Sequence, residues 1–228
     1  MKTKKMTKTI IGVLAGVLLL SLSATAQATL SPNLLVNGGF TSGSISDNET
    51  SGLLSNGVWY GSSKKWDRKS SGGNPDAYAS LGNNKTEKLF QAVQVSQQWP
   101  SHVATAGPVL VSFDYKSNNI IIANTYAKLY GSSAQPSYGS YGIELASIAD
   151  FSSSTSTWMP KSLSFNATSG YDWYTLVIYG ATGKGGGGGG ASFKVDNVFV
   201  QVTPIPAAVW LLGSGLIGLA VLRRRTKT

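Results

Sequence analysis

The chain has no cysteine in its 228 residues and one histidine, His102. Without thiols there is no disulfide framework, no thiolate nucleophile and no cysteine-built metal site. A lone histidine between Ser101 and Val103, with no H-x-x-H spacing, cannot nucleate a His-rich zinc centre. Charged residues make up only 13% of the chain, and the ten Asp and Glu are scattered. A glycosidase pair would have to be assembled in space from residues such as Asp67, Asp76, Asp114, Glu144 and Asp172. No G-x-S-x-G elbow stands at a strand-to-helix turn. These absences predict a protein without catalytic activity.

Charge of one sign is present in excess, but it is not spread evenly. The net charge of +9 comes from 19 Lys and Arg against 10 Asp and Glu. Lys2, Lys4, Lys5 and Lys8 open the chain, and Arg223, Arg224, Arg225 and Lys227 close it. Removing those eight leaves 11 basic residues against 10 acidic ones, so the middle is nearly neutral. A nucleic-acid partner needs a basic face on the folded part, and none is expected here.

Long apolar runs are likewise confined to the ends. Residues 1–28 carry a lysine-rich start, the short apolar run Ile10 to Leu22, and small-x-small sites at Ala24-Thr25-Ala26 and Ala26-Gln27-Ala28. This order predicts a cleaved secretory signal peptide. Residues 203–228 begin with Thr203-Pro204-Ile205-Pro206 and continue through the apolar stretch 207–222 into Arg223-Arg224-Arg225. Sixteen residues at helical rise span about 24 Å, slightly less than a bilayer core of about 30 Å. The arginines would remain cytoplasmic, with everything before Pro204 across the membrane.

Proline motif, transmembrane helix and basic cluster, in that order, resemble the PEP-CTERM sorting signal of Gram-negative bacteria. The stretch Ala207-Ala208-Val209-Trp210-Leu211-Leu212-Gly213-Ser214-Gly215-Leu216-Ile217-Gly218-Leu219 is similar to one subtype of its helix. The resemblance implies processing by an exosortase-type membrane protease and association with exopolysaccharide or biofilm. The common Val-Pro-Glu-Pro motif is altered here, with Thr203 and Ile205 at its first and third positions. A plain tail anchor is the simpler alternative.

Residues 29–202 suit one domain with a sizeable core. Their pattern is of short strands between turn signals, with no long segment of helical period. Strands are expected over 58–60, 77–81, 88–95, 109–116, 120–129, 142–146, 161–166, 173–179 and 192–202. Alternation in Leu89-Phe90-Gln91-Ala92-Val93-Gln94-Val95 and in Phe193 to Val200 suits antiparallel strands with one buried face. The expected fold is all-β, a jelly-roll-like antiparallel β-sandwich flanked by the signal peptide and the C-terminal transmembrane helix.

Asn33 to Phe40 and Phe193 to Val198 resemble the opening and closing strands of carbohydrate-binding-module and galactose-binding-like jelly rolls. Leu89 to Val95 and Val109 to Tyr115 are similar to that fold's middle strands. The resemblance implies a structural calcium tying the first loop to Asp196, although Thr41 stands where a carboxylate usually follows the Phe. Thr41 removes a hard oxygen ligand, so no other cofactor and at most that calcium is expected.

A sugar site would use flat rings whose apolar faces meet a pyranose while their polar edges stay wet. Trp59, Tyr60, Trp66 and Tyr78 lie in a polar, Gly-rich region and are the candidates, whereas Phe113 and Phe199 read as core. Trp99 and Trp158 adjoin loops or prolines, Ser152 to Thr157 reads as a solvated loop, and Gly185 to Gly190 as a flexible connection. The leading expectation is an exported structural component of surface or matrix. A polysaccharide-binding module using loop aromatics is the alternative, and a secreted glycan-active hydrolase the third.

Overall fold

In the computed structural model the described residues are 31–47, 52–62, 65–99, 107–167, 170–184 and 190–202. They fall in one compact unit, Leu30–Thr203. The expected signal peptide, His102, most of the glycine run and the whole C-terminal signal lie outside the described residues. Among the described residues no helix is long and apolar enough to cross a membrane.

Two sheets face each other. One is six-stranded, in the order β1 (Ser46–Asp47), β2 (Trp59–Gly61), β5 (Thr86–Gln94), β10 (Trp173–Ala181), β7 (Tyr126–Ser132) and β8 (Ile143–Ile148). The other is five-stranded, in the order β3 (Trp66–Lys69), β4 (Tyr78–Leu81), β11 (Ser192–Val202), β6 (Gly107–Asn118) and β9 (Met159–Ala167). Every pairing between these strands is antiparallel except the short β1–β2 contact. The expectation of an all-β antiparallel sandwich therefore holds, and the regular helix described is one turn, Val95–Gln98, plus a 3-10 turn at Ile122–Asn124.

Alternation explains how the strands meet. Along β6, Val109, Val111, Phe113 and Tyr115 point inward, while Leu110, Ser112, Asp114 and Lys116 point out. On β11 the inward set is Phe193 and Val195, then Val198, Val200 and Val202. A one-residue bulge between Asp196 and Phe199 switches the parity, with Asn197 in the left-handed region at φ 49°. The switch turns Phe199 outward, so its expected core role does not hold.

The opening segment is no strand, contrary to the likeness of its sequence. It is laced beside β11 by Leu34 N–H to Val200 O at 2.8 Å and Val198 N–H to Gly38 O at 3.0 Å. Gln91, fully buried, accepts the Val36 N–H and donates to the Val36 and Gly57 carbonyls. The strand expected from Ile120 starts only at Tyr126. The chain first turns through Ile122–Asn124, where Thr125 Oγ1 donates to the Ile121 carbonyl at 3.0 Å.

The outer faces of the two sheets differ. On the six-stranded sheet, Tyr60, Phe90, Ala92, Trp173 and Val177 are covered by Leu54, Tyr138 and Tyr141 from two loops, forming a second apolar cluster. Central strand β10 is consequently buried on both faces over most of its length. The five-stranded sheet carries an open polar groove on its outer face instead.

Candidate functional site

Three of the four expected ring platforms are inside the protein. Trp59, Tyr60 and Trp66 are 3, 5 and 2% exposed. Trp59 packs on Phe40 with centroids 5.1 Å apart, and its Nε1 donates to the Val36 and Asn37 carbonyls. Tyr60 stacks on Phe90 at 5.5 Å, and its hydroxyl accepts the Ser55 N–H. Trp66 meets Phe193 edge-on at 6.1 Å. Rings so enclosed have no face for a sugar. Trp59 and Trp66 belong to the main core and Tyr60 to the cluster covered by Leu54 and Tyr141, which composition alone does not reveal.

Tyr78 is the exception, and it brings a partner that its sequence position does not announce. It leans across the five-stranded sheet to meet Trp158 edge-to-face at 5.8 Å. Tyr78 lies on β4 and Trp158 directly precedes β9, with β11 and β6 between. Three strand spacings amount to about 14 Å, so the two half-buried side chains form an arch over the middle of the sheet. The Lys194 ammonium sits 5.1 Å from the Tyr78 ring centre.

Beside the arch runs a groove of about 560 Å³ lined by Lys116, Asn118, Ser156, Ser192 and Lys194, with Ser154, Thr155 and Gly190 on its rim. Its floor is the outward rows of β6 and β11, where Lys194 faces Lys116 and Ser192 faces Asn118. Its wall is the serine-rich stretch, stitched to the end of β6. Thr155 N–H donates to the Ser117 carbonyl at 2.9 Å, Ser117 N–H to Thr155 Oγ1 at 3.0 Å, and Asn119 N–H to Ser154 Oγ at 3.0 Å. Ser117 Oγ donates to the Ser152 carbonyl, and Asn118 Nδ2 to the Gly190 carbonyl at 3.1 Å. The stretch expected as a solvated loop is exposed but fastened, because its hydroxyls substitute for a neighbouring strand.

Another aromatic pair, Tyr126 and Tyr179, lies on the six-stranded sheet. Its rings stack on each other at 5.0 Å and 11°, and Lys128 caps Tyr126 while pairing with Glu144 at 2.7 Å. Tyr126 is thus taken on one face by Tyr179 and on the other by Lys128.

Behind the arch the residues do not fit the implied calcium. Asp196 is 1% exposed, with its Oδ2 accepting the Asn74 N–H at 2.6 Å and its Oδ1 the Asn197 N–H at 2.7 Å. Burial, helped by the neighbouring Asp114 and Asp76 carboxylates, raises its pKa above the ordinary value despite those two bonds. In the opening loop the Phe40 and Thr41 carbonyls are taken by the Arg68 guanidinium, Nη2 lying 2.6 Å from Thr41 O. A cation already occupies that corner. Asp114 Oδ2 accepts from Asn74 Nδ2 and Asn197 Nδ2 at 3.1 and 2.9 Å, and among the described residues no three acidic or imidazole groups gather as a metal site. At 1% exposure the Asp196 carboxyl is shut off from a substrate, and so it does not form a ready acid–base pair with Asp114.

No protein-family profile matches the chain, and no curated protein matches it. Solved structures resemble it in shape. The carbohydrate-binding module TmCBM61, solved with β-1,4-galactotriose, aligns with 75% of this chain and 98% of its own, at 17% identity and a TM-score of 0.43. The CBM22-1 xylan-binding domain of Xyn10C from Paenibacillus barcinonensis covers 80% of this chain and 99% of its own, at 10% identity and 0.38. The K3 adhesin domain of Lys-gingipain from Porphyromonas gingivalis covers 75% and 98%, at 14% and 0.40. No residue role is carried over from any of them.

Proposed function

We propose that residues 29–202 form a non-catalytic, jelly-roll-like module that binds extracellular polysaccharide in the groove beside Tyr78 and Trp158. One observation carries this reading, namely an open groove whose floor and wall are hydroxyls, an amide and two ammoniums, joined through Lys194 to the half-buried Tyr78–Trp158 ring pair. Rings of this kind suit the C–H face of a pyranose, and fixed polar groups suit its hydroxyls.

The chain's ends support a place for that activity. The order of signal peptide, Thr203-Pro204-Ile205-Pro206, apolar run and Arg223-Arg224-Arg225 suits export through the inner membrane of a Gram-negative bacterium. The protein is held by its C-terminal helix, processed by an exosortase-type protease, and delivered to the surface or matrix, where exopolysaccharide is the partner. The test is a glycan array and polysaccharide pull-down with the full-length chain, repeated with Tyr78→Ala and Trp158→Ala. Each truncation removes a ligand-facing ring worth about 2 kcal/mol, or roughly 30-fold in affinity. Binding that survives both substitutions unchanged removes the groove from consideration.

A further inference from the structure

The groove is charged with one sign. Lys116 and Lys194 occupy directly opposed positions on β6 and β11, and both line it, while no carboxylate does. Facing like charges on neighbouring strands repel, an arrangement that the fold alone gives no reason to keep. The ion pairs among the described residues engage Lys65, Lys69, Lys128 and Lys161, and neither groove lysine. Asp114 and Asp196, the next outward residues along the same strands, are turned to the Asn74 and Asn197 amides behind the arch. The Lys194 ammonium is held over the Tyr78 ring, 5.1 Å from its centre, while the side chain still lines the groove.

We propose, resting on the glycan-binding reading above, that the polysaccharide this groove takes is acidic, with a uronate carboxylate bridging the Lys116 and Lys194 ammoniums. Facing side chains start about 5 Å apart at Cβ, so two lysines converge on one carboxylate without strain. Charge-assisted hydrogen bonds then relieve the repulsion between them. Asn118, Ser156 and Ser192 meet the ring hydroxyls, and the arch takes the flat face of the adjoining sugar.

The experiment measures affinity of the full-length chain, solubilised in detergent, for polygalacturonate and alginate and for the carboxyl-reduced, neutral form of each. The acidic polymers bind at least about tenfold tighter, and Lys116→Gln and Lys194→Gln each remove about tenfold for them alone. Raising salt from about 0.05 to about 0.5 M weakens the acidic complexes and leaves the neutral ones, because the Debye length shrinks from about 14 to about 4 Å and screens the exposed charges. Near-UV circular dichroism confirms that both variants fold. Equal affinity for acidic and reduced polymers, or lysine variants that bind as the parent does, overturns the acidic assignment and leaves a neutral-glycan groove. Failure to bind any of the four polymers also overturns it, and binding to neutral plant or bacterial glycans on the array then decides whether the broader reading survives.

Discussion

Trp66 and Trp158 represent the buried and the half-exposed tryptophans among the described residues. Trp66 is 2% exposed, set edge-on to Phe193, with its Cζ2 3.2 Å from the position a Cβ on Gly180 would take. Removing a buried tryptophan side chain costs about 3–5 kcal/mol. One feature lowers that figure: Trp66 Nε1 is buried without a hydrogen-bond partner, so its loss restores about 1 kcal/mol or more of desolvation. Trp66→Ala should therefore destabilise by about 3 kcal/mol, which for a domain of this size lowers the thermal midpoint by roughly 10 °C. Trp66→Phe keeps a ring against Phe193 and discards the orphaned N–H, so it should cost about 1 kcal/mol or less. Trp158→Ala, half-exposed and touching Tyr78 at the surface, should move the midpoint by no more than about 4 °C while weakening glycan affinity roughly 30-fold. Urea titrations with a common m-value give the free energies, and affinity gels give the binding. A Trp66→Ala protein within about 1 kcal/mol of the parent, or a Trp66→Phe protein as damaged as the alanine variant, would refute the packing argument.

Tyr141 and Tyr174 are both pushed up to about 12, first by burial. Their neutral forms belong to the fold while the unfolded phenols ionise near 10, so stability is intact below pH 10 and falls between pH 10 and 12, by up to about 2–3 kcal/mol per tyrosine. Thermal midpoints across that range check it, and a flat profile contradicts it. Gly38→Ala would place a Cβ 1.9 Å from the Val198 carbonyl oxygen, forcing the opening segment off β11 at a cost of about 3 kcal/mol or more; an unchanged midpoint contradicts the lacing. In a host with exosortase, mass spectrometry should find the exported chain ending within a few residues of Pro206, since proline at 204 and 206 keeps that segment extended. Arg225 still attached to surface-exposed protein rejects processing.

What the sequence by itself determined is the part of the protein governed by local alternation. Leu89 to Val95 reads as a strand because every second residue must turn the same way, and β5 is there, though it ends one residue earlier at Gln94. The same rule marks Val109 to Lys116 within β6. It misses Trp66–Lys69, where one inward ring among three polar residues leaves no period to see. It also misreads Ile120 to Thr125, whose apolar residues lie on a turn, with Ile121 and Ile122 exposed. The site was legible only at Tyr78. Trp59, Tyr60, Trp66 and Tyr78 share one compositional neighbourhood, and their fates diverge because β2 and β3 sink the first three under other segments, while β4 turns Tyr78 to the outer face. Trp158 lies 80 positions further on and Lys116 and Lys194 lie 78 apart. Those distances close only because β11 inserts between β4 and β6, a pairing of strands remote in the chain that no local pattern encodes.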